Sequence, residues 1–359
     1  MKGKSGYFSS SALSEIFEGN KLAELTQSSI KSSEFLDQLY DENWFKEGEQ
    51  GLVYLRYYSM PFEPTDDFYI PGLDGETVEF SGAPFRIIVA HISEQKYISN
   101  IPWLITSDSR KPKITVESIS RMLPSSVYIL VSTPIYAEED TYENASIRMD
   151  GFAGMLRIIG GNNLLSQFVR EGTVDVSSGD IKTLTEAVFL PTRIEGPFAT
   201  EETWQQLKEV TNAITSKGGS DGNRITLATQ LIERAFTSKD SLKFFSYWVA
   251  LEVAADTHSH GKIITLLSKA YKQKKAYIQN NLGFQYLWET RQTVFHKGET
   301  YTVPPDIERY FQNLFLDVVR KKLGLKCKRN MATMVEDGFD VNRLNRKSAH
   351  FNILTIDTT

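Results

Sequence analysis

The sequence predicts an α+β protein, with a β-rich N-terminal domain followed by an all-α helical bundle. Two observations predict it, and a third sets the two parts of the chain apart. Between about residues 50 and 135, short runs of β-branched and aromatic residues alternate with Gly, Pro and Asp clusters. From Tyr142 onward, apolar residues recur at three- and four-residue spacing, the period of a helix. The charge also changes along the chain. Residues 262–329 carry about 14 Lys and Arg against about 5 Asp and Glu, whereas the first 261 carry about 23 against about 36. The expected boundaries are a β-rich domain over 1–197, a helical domain over 198–327 and a C-terminal tail over 328–359.

Taken in order, Ser14 to Leu25 and Ser33 to Phe45 read as short helices, the first of them alternatively as part of a strand-rich start. Gly51 to Tyr58 is β-branched and aromatic and reads as a strand. Pro61, Pro64, Pro71, Gly72 and Asp74-Gly75 mark a turn-rich stretch. Thr77 to Phe80 and Phe85 to Ile92 read as paired strands around Ser81-Gly-Ala-Pro84. Trp103 to Thr106, Lys113 to Val116 and Val127 to Val131 continue the pattern. Tyr142 to Ile159 is a helix, with Ile147, Phe152, Met155, Leu156 and Ile159 at helical spacing. Gly160-Gly-Asn-Asn163 stops it; a phosphate loop would need strand–loop–helix order, and here the glycines follow a helix. Val188 to Pro191 reads as a last strand and Arg193 to Pro197 as a linker.

The second domain begins near Thr200, a plausible N-cap for a helix through Ile214. Ser216 to Gly222 has the composition of a flexible loop. Asn223 to Phe236 is a helix with Ile225, Leu231, Ile232 and Ala235 on its apolar side, and Ser238 is positioned to cap the next, through Ala255. Asp256-Thr-His-Ser-His260 has one acid and two imidazoles at alternate positions, a pattern that can ligate metal; with no nearby Cys or further His it reads as a polar loop. Ile263 to Tyr271, Asn281 to Phe295 and Ile307 to Leu323 complete the bundle, with a turn at Tyr301 to Pro305. The tail after Gly324 is basic, then mixed, and Phe351 to Ile356 could dock as a strand.

Composition narrows the function classes. With 41% hydrophobic residues the chain can bury a core. No apolar run is long enough for a transmembrane helix, and Met1-Lys-Gly-Lys-Ser-Gly lacks the apolar centre of a signal peptide, so no membrane association and a cytoplasmic location are expected. A single cysteine, Cys327, excludes an intrachain disulfide and a multi-cysteine zinc site. No cofactor and no metal are expected. The net charge of −5 argues against broad nucleic-acid binding by the whole chain, but the basic C-terminal part suits a phosphate-rich ligand.

The chemistry concentrates in Leu287-Trp-Glu-Thr-Arg-Gln-Thr-Val-Phe-His-Lys-Gly298, the end of a helix. His296 and Lys297 sit where cations complement the helix C-terminal dipole, and Gly298 suits the position just past it. Arg291 is permanently charged and forks onto phosphate oxygens. His296 can take and give a proton near neutral pH. Together they supply what RNA cleavage through the ribose 2′-hydroxyl needs: proton transfer, and a cation for the charge on the phosphorus centre. Five residues turn a helix by about 140° beyond a full revolution, so the two are not expected on one face unless the helix frays or a second chain completes the site. On the helix before, Phe245, Trp248 and Glu252 share a face. A carboxylate there needs a partner, and Arg291 is the candidate.

The helix Phe244-Phe-Ser-Tyr-Trp-Val-Ala-Leu-Glu252, the motif Arg291-Gln-Thr-Val-Phe-His296-Lys-Gly and the closing helix together resemble the HEPN superfamily, in particular its Apea-like branch, over roughly residues 200–327. The resemblance implies a HEPN-like bundle and a metal-independent endoribonuclease leaving a 2′,3′-cyclic phosphate. Arg291, His296 and Glu252 would be its catalytic residues, with Glu252 positioning Arg291. Gln292 and Lys297 would contact substrate; many active members carry Asn, Asp or His where this chain has Gln292, whose amide can still hydrogen-bond. The resemblance further implies an RNA partner, with tRNA among the candidates, a homodimer, and a toxin or anti-phage role in which the N-terminal domain senses a protein trigger. The other reading is a non-catalytic HEPN module for RNA or nucleotide binding, dimerisation or sensing.

Overall fold

A computed structural model describes residues 29–31, 38–45, 51–59, 75–92, 95–105, 113–123, 126–136, 141–161, 165, 167–177, 180–186, 201–297 and 301–344. These fall into two compact units. One is drawn from positions 1–78, 83–146 and 163–201, and the other from 79–82, 147–162 and 202–359.

The first unit is built on an antiparallel sheet. Its strands are β1 (Ser29–Lys31), β2 (Leu52–Ser59), β3 (Glu76–Phe80), β4 (Ala83–Ile92), β7 (Ser126–Ile135), β8 (Gln167–Asp175) and β9 (Asp180–Glu186), in the order β1-β9-β8-β2-β7-β4-β3. Central β2 pairs antiparallel with β7 (Leu55 opposite Ser132) and with β8 (Leu55 opposite Gly172). The two-residue strand period sorts its side chains by face. Val53, Leu55 and Tyr57 join Leu39, Trp44, Ile88, Tyr128, Leu130, Val169 and Val174 in one core. Between them lies Arg56, buried, with Nε donating to Glu171 Oε2 at 2.9 Å, and Tyr54 donates its hydroxyl to the same carboxylate. β5 (Gln95–Ile105) and β6 (Lys113–Leu123) form a separate antiparallel pair.

Ser81 and Gly82 both take positive φ, 53° and 78°, the conformation that two-residue hairpin turns need. Within residues 38–45 the expected helix is a single 3₁₀ turn, Glu42–Trp44, whose first turn is closed by Asn43 N–H donating to Asp41 Oδ1 at 2.9 Å. β8 and β9 were not anticipated from the sequence. The strand expected at Val188 to Pro191, the helix expected at Ser14 to Leu25, the turn-rich stretch 61–74 and the linker at 193–197 lie outside the described residues.

The helices are α1 (Tyr142–Gly160), α2 (Glu201–Lys217), α3 (Gly219–Thr237), α4 (Asp240–Ala255), α5 (His260–Tyr271), α6 (Phe284–Lys297), α7 (Pro305–Leu323) and α8 (Asn330–Glu336). A π-helical turn, Tyr277–Asn281, precedes α6, and a 3₁₀ turn, Val341–Leu344, follows α8. Thus an antiparallel-sheet region precedes a mostly helical one. No helix among the described residues is long and apolar enough to cross a membrane.

In the second unit α7 is the central element, with Ile307, Tyr310, Phe311, Leu314, Phe315, Val318 and Val319 buried along it. Phe311 packs edge-on to Phe244 at 5.4 Å and stacks on Tyr247 at 5.3 Å. Its buried acids are answered by named donors. Glu308 accepts from Lys243 Nζ at 3.1 Å and Tyr247 Oη at 2.5 Å. Asp317 accepts from the Tyr271 hydroxyl and from the backbone N–H groups of Asn330 and Met331 at 3.0 and 2.9 Å, which fastens α8 to α7. Burial pushes the Asp317 carboxyl above its usual range, and those donors pull the other way.

Three expectations are corrected here. Residues 219–222 of the expected loop are helical. Gly218 and Gly219, with φ of 52° and 58°, make the corner alone, and Gly222 lies against the Ile214 carbonyl. Ser238 closes α3, its hydroxyl donating to Arg234 O at 2.6 Å, and does not cap α4, whose N-cap position is Lys239. Part of the tail is ordered as α8 and the 341–344 turn; Phe351 to Ile356 lies outside the described residues.

Helices α1 and α3 approach closely at Gly154. A Cβ on Gly154 would lie 2.0 Å from the Thr229 carbonyl oxygen. Beside it Arg157 forks onto Glu233, Nε to Oε2 at 2.6 Å and Nη2 to Oε1 at 3.2 Å, with its guanidinium 3.5 Å over the Phe236 ring. Backbone cannot yield as a side-chain tip can, so Gly154→Ala is expected to cost about 1–3 kcal/mol by overpacking. Gly261→Ala, in open space, is expected to be neutral or slightly stabilising. Thermal unfolding of the two variants checks this; equal melting temperatures would contradict it.

Candidate functional site

Helix α4 sets up the site through its spacing. Trp248 and Glu252 are four residues apart, so they meet on one face. The Trp248 indole N–H donates to Glu252 Oε1 at 2.7 Å. Both side chains are buried. The helix then ends on Asp256, which adopts the left-handed conformation (φ 57°, ψ 42°) that Asp tolerates better than most residues. Thr257 N–H bonds back to the Glu252 carbonyl at 3.1 Å, closing the turn. That reversal brings His258 to the free side of the same carboxylate, with Nδ1 donating to Oε2 at 3.0 Å.

Helix α6 supplies the other half. Gly283, at φ 73°, turns the chain into it; a side chain there would collide with Val341 and Leu344. Arg291 lies along an aromatic shelf, its guanidinium 4.4 Å from the Phe295 ring centre and 5.1 Å from that of Trp288. Phe245 packs edge-on against Phe295 at 4.1 Å, and Trp248 sits 5.6 Å from Trp288, so the shelf is fastened to α4. Arg291 Nη2 stands 3.8 Å from Glu252 Oε1. Its Nη1 donates to His296 Nε2 at 3.1 Å. A guanidinium has only donors, so Nε2 faces it with its lone pair and the ring proton is on Nδ1. Next to Arg291 on α6, Thr290 donates its hydroxyl to the Leu344 carbonyl at 3.0 Å.

The residues expected to form the site therefore divide. Arg291, Glu252 and His296 come together. The angular objection from helix geometry is corrected: one chain suffices for the Arg291–His296 contact, because the long Arg side chain crosses the Phe295 ring to reach the exposed His296 in the last turn. Gln292 is half-buried and Lys297 exposed, and neither makes a hydrogen bond or ion pair among the described residues. Gly298 lies outside them.

The acid and two imidazoles of 256–260 face different partners. Asp256 pairs with Arg224 at 2.9 Å and lies 4.0 Å from Lys322 Nζ. His258 goes to Glu252. His260 stacks on Trp288 and Phe284, with ring centres 4.8 and 5.4 Å apart, and its Nε2 is buried with no hydrogen-bond partner. Reading the sequence as a polar loop passed over His258 and His260 as members of this cluster. The available signal was an imidazole six residues beyond a carboxylate on an aromatic helix face.

In comparisons with protein-family models, curated proteins and solved structures, no match to this chain was found.

Burial lowers the His260 pKa from the ordinary value near 6.5. The fold therefore prefers the neutral ring, while the unfolded chain takes up a proton first as pH falls. The stabilising contribution is fully present above about pH 6.5 and is lost as pH drops through the folded value. Wild type should lose melting temperature between pH 7.5 and 5, and His260→Phe, which keeps the stacking, should lose less. Parallel melting curves across that range would contradict the assignment.

Proposed function

We propose that the protein is a metal-independent endoribonuclease that cleaves RNA through the ribose 2′-hydroxyl, with its centre at Arg291, His296 and Glu252. The observation that carries this reading is the 3.1 Å contact between Arg291 and His296, made beside a buried carboxylate that holds the guanidinium from behind. A phosphodiester offers the guanidinium two anionic oxygens and competes for its donors. Once Arg291 turns to the phosphate, the Nε2 lone pair of His296 is free. It takes the 2′-hydroxyl proton, the 2′-oxygen attacks phosphorus, and the bond to the 5′-oxygen breaks. The products are a 2′,3′-cyclic phosphate and, once the departing 5′-oxygen has taken up a second proton, a 5′-hydroxyl. Arg291 meets the charge that grows on the phosphoryl oxygens. At 3.8 Å, Glu252 orients the guanidinium while leaving its charge available to a ligand.

The charge distribution supports a polyanionic substrate. Lys262, Lys272, Lys274, Lys275 and Lys297 are exposed in the same unit. Gln292 and Lys297 are read as contacts to RNA flanking the scissile phosphate. The proposal extends to tRNA as a possible substrate, to a homodimer, and to a toxin or anti-phage effector whose sheet unit receives a protein trigger.

The test is incubation of total RNA and tRNA in EDTA with the full chain, mapping product ends. Wild type should leave cyclic-phosphate ends, and His296→Ala and Arg291→Ala should each lower the rate by about 100-fold or more. Cleavage that survives His296→Ala would sink the catalytic reading. Salt-sensitive RNA binding without cleavage, together with overexpression toxicity indifferent to His296, would favour the binding module. For the homodimer, light scattering should give twice the 40.8 kDa of one chain.

A further inference from the structure

We infer that His258 is a second catalytic residue of this centre, the acid that protonates the leaving 5′-oxygen while His296 acts as the base. The inference rests on the ribonuclease reading and extends it. A 2′-hydroxyl cleavage moves two protons, one off the nucleophile and one onto the leaving group, and a single imidazole adjoining Arg291 accounts for the first.

Three observations carry it. First, one guanidinium and one carboxylate link the two imidazoles. Its Oε2 holds His258 Nδ1 at 3.0 Å, its Oε1 stands 3.8 Å from Arg291 Nη2, and Arg291 Nη1 reaches His296 Nε2 at 3.1 Å. A phosphate seated on Arg291 would therefore touch a guanidinium to which His296 is joined directly and His258 through one carboxylate. Second, the carboxylate is buried and the imidazole is not: the side-chain exposures are 7% for Glu252 and 89% for His258. A carboxylate accepts only, so His258 donates from Nδ1, and the ring atom left to exchange protons with a ligand is Nε2. An interior acid that fixes the ring through one nitrogen and leaves the other to the reaction is the arrangement by which carboxylates orient catalytic imidazoles. Third, the loop that carries His258 is fastened. Asp256 N–H bonds to Val253 O, Thr257 N–H to Glu252 O, and Ser259 N–H to Thr257 Oγ1, each at 3.1 Å.

The step balances. His296 Nε2 receives the proton of the 2′-hydroxyl as the 2′-oxygen–phosphorus bond forms. His258 in its protonated form gives the proton of Nε2 to the 5′-oxygen as the phosphorus–oxygen bond breaks. Each turnover leaves His296 protonated and His258 neutral, and exchange with solvent resets both.

The experiment compares two oligoribonucleotides cleaved by the full chain, one with the natural 5′-oxygen at a single scissile linkage and one with sulfur in its place. A thiolate departs without a proton, so loss of the acid is forgiven on the sulfur substrate. His258→Asn keeps a donor for Glu252 but has no Nε2. It should be slowed about 100-fold on the oxygen substrate and return to within about tenfold of wild type on sulfur. His296→Ala should be slowed on both. His258→Asn cleaving the oxygen linkage at the wild-type rate would overturn the inference. So would equal slowing on both substrates, the result for a residue that only braces Glu252. Those two failures leave wild-type cleavage intact; a wild type that cleaves neither substrate would overturn the ribonuclease reading itself.

Discussion

A carboxylate buried among aromatic rings is tolerable only when its oxygens are answered, and the centre of this protein is organised by how Glu252 is answered. Trp248, four residues earlier, donates an indole N–H; His258, past the helix end, donates Nδ1; Arg291, on another helix, brings the opposite charge. The three come from an element, its cap and a packed neighbour. Glu252 thus reports on whether α4 has ended correctly and whether α6 has docked. Removing the carboxylate would take away the ion-pair partner of Arg291 and leave it beside two aromatic rings, hydrogen-bonded to His296. The guanidinium would then lose its orientation, which is a larger change than the loss of one ion pair.

The same logic recurs in the second unit. Glu233, Glu308 and Asp317 are all buried, and each ties one helix to another: α3 to α1 through Arg157, α7 to α4 through Lys243 and Tyr247, and α7 to α5 and α8 through Tyr271 and two backbone amides. Deleting one partner of such a pair strands the other in the interior. Apolar packing drives these helices together, while the acids restrict which faces can meet. Glu252 differs in one respect. The imidazole it holds is open to solvent, so part of what satisfies it is also available to a ligand.

Much of this was legible in the sequence, for identifiable reasons. β2, β3 and β4 were recoverable because β-branched and aromatic residues gather there between turn-forming clusters, and α1 because its apolar residues recur at helical spacing. β8 and β9 were not: Arg170 and Glu171 break the apolar pattern of β8, β9 offers only Ile181 and Leu184 as apolar residues, and sheet pairing overrides local pattern there. Ser216 to Gly222 reads as a loop by composition, yet Gly222 is required for contact with the Ile214 carbonyl, a constraint set by a neighbouring helix. Ser238 illustrates the same ambiguity: a hydroxyl between two helices can close the first or open the second, and only the backbone decides. At the site, Arg291, His296 and Glu252 were legible from residue chemistry. The Arg291–His296 contact was not, since turning angle per residue neglects the length of an Arg side chain. His258 was hidden because its relation to Glu252 depends on the left-handed turn at Asp256.

The bond from Thr290 to the Leu344 carbonyl places the residue adjoining Arg291 against a segment synthesised more than fifty positions later. During translation, α6 emerges from the ribosome long before that support does. A nascent chain therefore carries Arg291 and His296 in a helix that is not yet braced by this bond, and bracing comes only when residues 341–344 are free to dock. For an enzyme proposed to cut RNA, that order of events leaves the helix that carries Arg291 and His296 without this brace until residues 341–344 have been made.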